Sequence, residues 1–172
     1  IEDVEALEEL LSRPTPGVIE TVRGMEGPLM ILGVGGKMGP TMARMAVRAA
    51  EAAGKALDVV GVSRFSEGTL RERLGSWGVR TIACDLLDEA ALAALPDAPH
   101  IVFMAGHKFG AATNQPLTWA MNTFLPGLVG RRYAGSRMVA FSSGNVYPLL
   151  PVTSGGATEE VTPEPVGEYA MS

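Results

Sequence analysis

With 172 residues, the chain is long enough for one domain with a substantial core. At 47% hydrophobic and 19% charged residues it reads as globular rather than disordered. A formal charge of −5 argues against a general nucleic-acid binder, and no apolar run approaches the ~20 residues that span a bilayer.

The first residues, IEDVEALEELL, are acidic where a secretory signal is basic, so the expectation is a soluble cytoplasmic protein. Cys84 stands alone, which leaves no disulfide framework and no cysteine zinc cluster. Val4, Leu7, Leu10 and Leu11 recur at helical spacing and predict a short amphipathic helix over 2–11, stopped before Pro14. Residues 14–27 read as a linker, so the expected organisation is an acidic helix and linker over 1–27 and one domain over 28–172.

From residue 28 the pattern alternates. PLMILGV (28–34) is a continuous apolar run, as in a strand buried on both faces. Residues 40–53 set Met42, Met45, Ala46, Ala49 and Ala53 on one stripe and predict a helix lying on a sheet. Strands follow at 58–64, 79–85, 100–106 and 137–143. Helices are predicted at 68–77, 88–95 and 114–133, the last interrupted near Pro126. Strands alternating with helices imply βαβ units, hence an α/β doubly wound parallel sheet, a Rossmann fold. Residues 144–165 form a Pro/Gly/Thr-rich loop of a length that is usually functional. EYAMS starts a further helix.

The stretch LGVGGKMGP (32–40) carries the first chemical signal. A triphosphate-binding P-loop needs Gly at 31 and a hydroxyl at 38, where the chain has Ile31 and Met38. The spacing Gly33-x-x-Gly36-x-x-Gly39 instead follows the first strand and opens the first helix of the domain. Glycines there permit a tight turn and a close backbone approach to a pyrophosphate, and the helix N-terminus offers free N–H groups. Lys37 and Met38, inside the loop, join the three glycines as expected cofactor contacts. Pro40 suits a first helical turn.

This glycine triplet resembles that of the extended short-chain dehydrogenase/reductases, the NAD-dependent epimerase/dehydratase family. The resemblance covers residues 28–172 and implies an NAD(P)-dependent enzyme acting on a small-molecule substrate. It implies hydride transfer between nicotinamide C4 and a carbinol carbon, as in many nucleotide-sugar enzymes. Asp85, followed by Leu86, matches the family's adenine contact, with helix capping as the alternative. Ala105 and Gly106 match small residues beside the cofactor ribose. His107 and Lys108 depart from the family and either line the active site or form a solvated loop. Asn122 resembles a family Asn that contacts the cofactor or a backbone carbonyl beside the active site.

FSSGNVYP (141–148) resembles the family's Ser-Ser/Thr-x-x-Val-Tyr-Gly stretch and places the catalytic hydroxyl on Ser143, with strand-end capping as the alternative. Tyr169 matches the Tyr that opens Y-x-x-x-K. A phenol with an ordinary pKa of about 10 is a poor base at neutral pH, and in the family a Lys one turn on supports the phenolate. That Lys would be residue 173, after the last residue, Ser172. The family's substrate region is absent too, so the chain reads as truncated before it and is expected to bind cofactor better than it turns over substrate. The family also implies a homodimer through the 114–133 and Tyr-bearing helices.

A carboxylate ending the second strand would select NAD. Here the strand ends Ser63-Arg64, with no acid before Glu67. Arg64 either forks onto a 2′-phosphate, which favours NADP, or is a solvated strand-end Arg. Two other readings stay open: a non-catalytic NAD(P) sensor, and a methyltransferase-like domain that leaves the Ser143–Tyr169 pair unexplained.

Overall fold

The computed structural model describes residues 1–66 and 68–172. Five parallel strands, β1 (Leu29–Leu32), β2 (Val59–Ser63), β3 (Arg80–Ala83), β4 (His100–Phe103) and β5 (Arg137–Ala140), form one sheet in the order β3-β2-β1-β4-β5. The order reverses after β3, so β1 and β4 are neighbours with helical crossovers on opposite faces. Their register is Leu29 with His100 through Leu32 with Phe103. This is the doubly wound Rossmann architecture, and its ligand crevice lies beyond the carboxyl ends of β1 and β4.

β1 is buried along its whole length, and alternation divides it between two cores. Met30 and Leu32 meet Ile101, Phe103, Leu125, Leu128 and Val129 on one face. Leu29 and Ile31 meet Ala43, Ala46, Val59 and Leu74 on the other. The helices are α3 (Gly39–Ala52), α4 (Gly68–Ser76), α5 (Glu89–Ala93), α6 (Gln115–Trp119) and α7 (Leu125–Arg132). α3 buries Ala43, Ala46, Ala49 and Ala50, while Met42 and Met45 are half-buried at its flanks. The inward stripe is thus turned from the expected one, because alanines let the helix axis sit closer to the sheet than methionines would.

The N-terminal segment differs from a helix plus linker. α1 (Val4–Leu11) forms as expected, capped by Asp3, whose carboxylate accepts from Ala6 N at 2.7 Å. A second helix, α2 (Pro16–Arg23), occupies most of the stretch expected to be a linker. Thr15 caps it, Pro16 opens it, and Val22 is buried against Ala49 and Ala50.

Between α6 and α7 the helix widens into a π turn, Ala120–Phe124. Pro126 has no N–H to offer the preceding turn, and the π turn absorbs the break without ending the helix. Two short 3-10 turns, Gly144–Val146 and Val152–Ser154, punctuate the long loop, and α8 (Glu168–Met171) ends the chain. No helix among the described residues is long and apolar enough to cross a membrane.

Candidate functional site

The glycine loop turns sharply where β1 ends. Gly33 has φ +93°, and a Cβ there would stand 2.7 Å from Ala105 Cα, in the loop after β4. A Cβ on Gly39 would stand 2.7 Å from Val34 Cα, so this glycine lets α3 start tight against the strand end. Gly36 is different: it is exposed, and a Cβ would meet only Gly33 O at 3.4 Å. Lys37 and Met38 are exposed beside it. α3 has no side-chain cap at its N-terminus, and Pro40 lies in its first turn. In the first turn of this 14-residue helix Gly39 N donates to Gly36 O at 3.2 Å and Met42 N to Met38 O at 3.1 Å, and Pro40 has no N–H, which leaves the Thr41 N–H to meet a phosphate behind exposed Gly36.

Sequence reasoning did not single out Gly35. A Cβ there would run into Ser63 Oγ, so the loop lies directly on the end of β2. Ser63 is half-buried and Arg64 exposed, and among the described residues Arg64 makes no ion pair. Glu67 lies outside the described residues. One strand further on, Asp85 is exposed and Leu86 buried. Asp85 accepts from Leu87 N at 3.1 Å, while the α5 cap belongs to Asp88, which accepts from Ala90 and Ala91 N. Burial pushes the thiol of the preceding, buried Cys84 up, which disfavours its thiolate.

On the other side of the crevice, Ala105 is half-buried and Gly106 exposed. A Cβ on Gly106 would come 3.3 Å from Asn122 Oδ1. Asn122, within the π turn, spends its amide on the chain itself. Its Oδ1 accepts from His107 N at 2.8 Å, and its Nδ2 donates to His107 O at 3.1 Å and to Ser172 Oγ at 3.0 Å. Of the two roles expected for Asn122, the geometry is that of a side chain clamping backbone.

β5 ends at Ala140, earlier than the sequence pattern indicates, so Ser142 and Ser143 leave the sheet. Ser143 Oγ accepts from Asn145 N at 3.1 Å and caps the first 3-10 turn, which leaves its O–H free to donate. α8 packs on this turn and on α6. It is fastened by Trp119 Nε1 donating to Glu168 Oε2 at 2.6 Å and Thr123 Oγ1 donating to Ser172 O at 2.7 Å. Tyr169 is thereby brought to the end of the sheet that carries Ser143. Lys108 Nζ lies 5.3 Å from the Tyr169 ring centroid. No residue spacing announced this pair: a cation from the β4 loop reaches the phenol through space. Glu164 N donates to Val146 O at 2.9 Å, tying the ends of the long loop. The segment encloses a concavity of about 570 Å³ lined by Tyr147, Pro148, Leu149 and Val166.

No family model and no curated protein matches this sequence. Solved structures do match. ADP-L-glycero-D-manno-heptose-6-epimerase of Helicobacter pylori superposes with a TM-score of 0.69 at 17% identity, over 91% of this chain and 49% of that one. Bordetella bronchiseptica WbmG in complex with NAD gives 0.68 at 17%, over 87% and 47%. dTDP-glucose 4,6-dehydratase of Bacillus anthracis in complex with NAD gives 0.66 at 16%, over 85% and 46%. The chain thus has the fold of one part of these epimerases and dehydratases, the class that its glycine triplet resembles. It spans about half the length of the solved structures it matches.

Proposed function

We propose that this chain is the dinucleotide-binding part of an NAD(P)-dependent epimerase, dehydratase or reductase. The observation that carries the reading is the division of labour among the three glycines. Close contacts within the protein account for Gly33 and Gly39, whereas a Cβ on exposed Gly36 would meet only Gly33 O at 3.4 Å. A ligand whose oxygens lie against its backbone accounts for it. Neighbours of the same fold in complex with NAD support the reading.

When bound, the nicotinamide supplies hydride chemistry at C4. The chain's own residues hold and orient. The Thr41 N–H in the first α3 turn and Lys37 hold the pyrophosphate, and Asp85 accepts from the adenine amino group. Ser63 and Arg64 take a 2′-phosphate, which makes NADPH the preferred form. Ser143 donates its O–H to the substrate oxygen, and Tyr169 exchanges the carbinol proton. Lys108 supplies positive charge beside the Tyr169 ring. The substrate class is a hydroxylated small molecule such as a nucleotide sugar.

Fluorescence titration with NADPH and NADH tests this. Both are expected to bind, NADPH more tightly, and Arg64→Asp is expected to erase the difference. If neither binds, the reading fails. Equal affinities in the natural chain would remove the NADP preference and leave the rest standing.

A further inference from the structure

The domain holds α1 by the side that a surface helix ordinarily turns to water. α1 buries none of its own residues, and Val4, Leu10 and Leu11 lie exposed. Glu8, Glu9 and the C-cap Ser12 face the domain instead, where they meet Arg44 and Arg48 of α3 and Arg73 of α4. Glu9 Oε2 is 3.0 Å from Arg44 and its Oε1 2.8 Å from Arg48. Arg48 also donates to buried Ser12 Oγ at 2.8 Å, and Arg73 lies 3.1 Å from Glu8 Oε1. Among the described residues, α1 and its cap supply every acceptor that these three guanidiniums have. Glu51 and Glu72, the acids carried by α3 and α4 themselves, bond to none of them.

The arginines do not depend on α1 for their placement. Arg44 Cζ lies 4.9 Å and Arg73 Cζ 5.4 Å from the ring centroid of Trp77, just after α4, so an aromatic of the domain steadies two of the guanidiniums. Arg48 stands one helical turn beyond Arg44 on the same face of α3. That face is opposite Ala43 and Ala46, which pack on the sheet, so the cluster is separate from the glycine loop at the head of the helix.

Guanidinium forks match carboxylate and phosphate oxygens alike. A ligand for this cluster must displace a helix tethered beside it, at an effective concentration on the order of millimolar. A free acidic peptide brings only the carboxylates that α1 already supplies and loses to it. A phosphate group brings up to about two charges and three acceptor oxygens. Glu8 and Glu9 answer different arginines, so the matching ligand carries two such groups.

We propose that Arg44, Arg48 and Arg73 form a second anion site, for a compact anion with two phosphate groups. α1 fills it with Glu8 and Glu9 until such a ligand lifts the helix away. The site is independent of the dinucleotide reading and lies outside the crevice.

Pyrophosphate tests this, titrated at a constant ionic strength of ~0.15 M with sodium chloride as the balance. Trp77 fluorescence in a Trp119→Phe background is expected to change saturably. Arg48→Met is expected to weaken the midpoint at least tenfold, and Gly36→Ala, which alters the crevice, to leave it in place. Glu8→Gln with Glu9→Gln removes the internal competitor and is expected to tighten the midpoint about three- to tenfold, the worth of a few surface ion pairs. In the natural chain, which needs no variant to fold, deuterium exchange of the α1 amides is expected to quicken with pyrophosphate and not with matched chloride. A fluorescence change that chloride reproduces at the same ionic strength is screening alone and overturns the proposal. A midpoint that ignores the arginine or the glutamate changes, a midpoint that follows Gly36→Ala, or α1 exchange indifferent to pyrophosphate overturns it as well.

Discussion

At the scale of single residues, the three glycines make separable predictions. Gly33→Ala forces a side chain into the left-handed region and against the Ala105 backbone, and is expected to cost at least ~1–3 kcal/mol of stability. Gly36→Ala meets nothing but Gly33 O at ordinary contact distance, so denaturant melts are expected to stay within about 0.5 kcal/mol of the natural chain. Its NADPH affinity is nevertheless expected to fall on the order of tenfold, or about 1.4 kcal/mol. Unfolding and binding measured on the same two variants check both halves. If Gly36→Ala keeps full affinity, the loop cradles nothing. The triplet was legible in the sequence because its position after the first strand is diagnostic. The individual role of each glycine was not, since that depends on what the fold places opposite each missing Cβ. For the same reason Gly35 drew no notice, and Lys108 could not be paired with Tyr169 from sequence separation.

At the scale of elements, α1 is attached by charge rather than by apolar burial. It buries none of its residues, and Val4, Leu10 and Leu11 face solvent. Glu9 instead reaches α3, with Oε2 at 3.0 Å from Arg44 and Oε1 at 2.8 Å from Arg48. Glu8 reaches Arg73 at 3.1 Å, and Arg44 and Arg73 both stack on Trp77. The Arg48 hydrogen bond and the nearby arginines outweigh partial desolvation and hold the Glu9 carboxyl below its ordinary 4.5. A depressed carboxylate contributes stability above its unfolded value and loses it as pH falls through the folded one. α1 is therefore expected to stay clasped at neutral pH and release below about pH 4.5, and also in ~1 M salt, where the screening length is about 3 Å. Trp77 fluorescence in a Trp119→Phe background reads the release, and an unchanged signal under both conditions would contradict an electrostatic clasp. The sequence showed that α1 is amphipathic but not which side faces inward, because helical periodicity carries no information about which surface has the partner. α2 is legible where a linker is expected over 14–27: Thr15 before Pro16 is an N-cap followed by a first-turn proline, a helix start signal.

For the whole molecule, the alternation of apolar runs and amphipathic helices sufficed for the parallel sheet, since a βαβ crossover has one hand and one sheet to return to. The site was less legible because it is built from four loop ends and a π turn that meet only after folding. Ligand linkage follows from that construction. Since the crevice exists only in the folded sheet, NADPH at 100 times its dissociation constant is expected to stabilise the chain by about 2.7 kcal/mol. For a domain of this size that is about 5–10 °C in Tm. Gly36→Ala, binding tenfold more weakly, is expected to keep only about 1.4 kcal/mol of that increment at the same NADPH concentration. The homodimer expected from the resemblance is a prediction that the same molecule tests. The 114–133 segment buries Leu125, Leu128 and Val129 on the sheet, yet leaves Phe124 53% exposed and Trp119 39% exposed, with Met171 of α8 also exposed. These exposed apolar side chains on the 114–133 segment and α8 are what self-association through those elements would cover. Light scattering after gel filtration is expected to show a concentration-dependent dimer, and Phe124→Asp to shift it to monomer while leaving NADPH affinity unchanged. A natural chain that remains monomeric at ~100 μM would remove this face as a self-association site, since μM dissociation constants correspond to only about 8 kcal/mol of binding free energy and would be visible there.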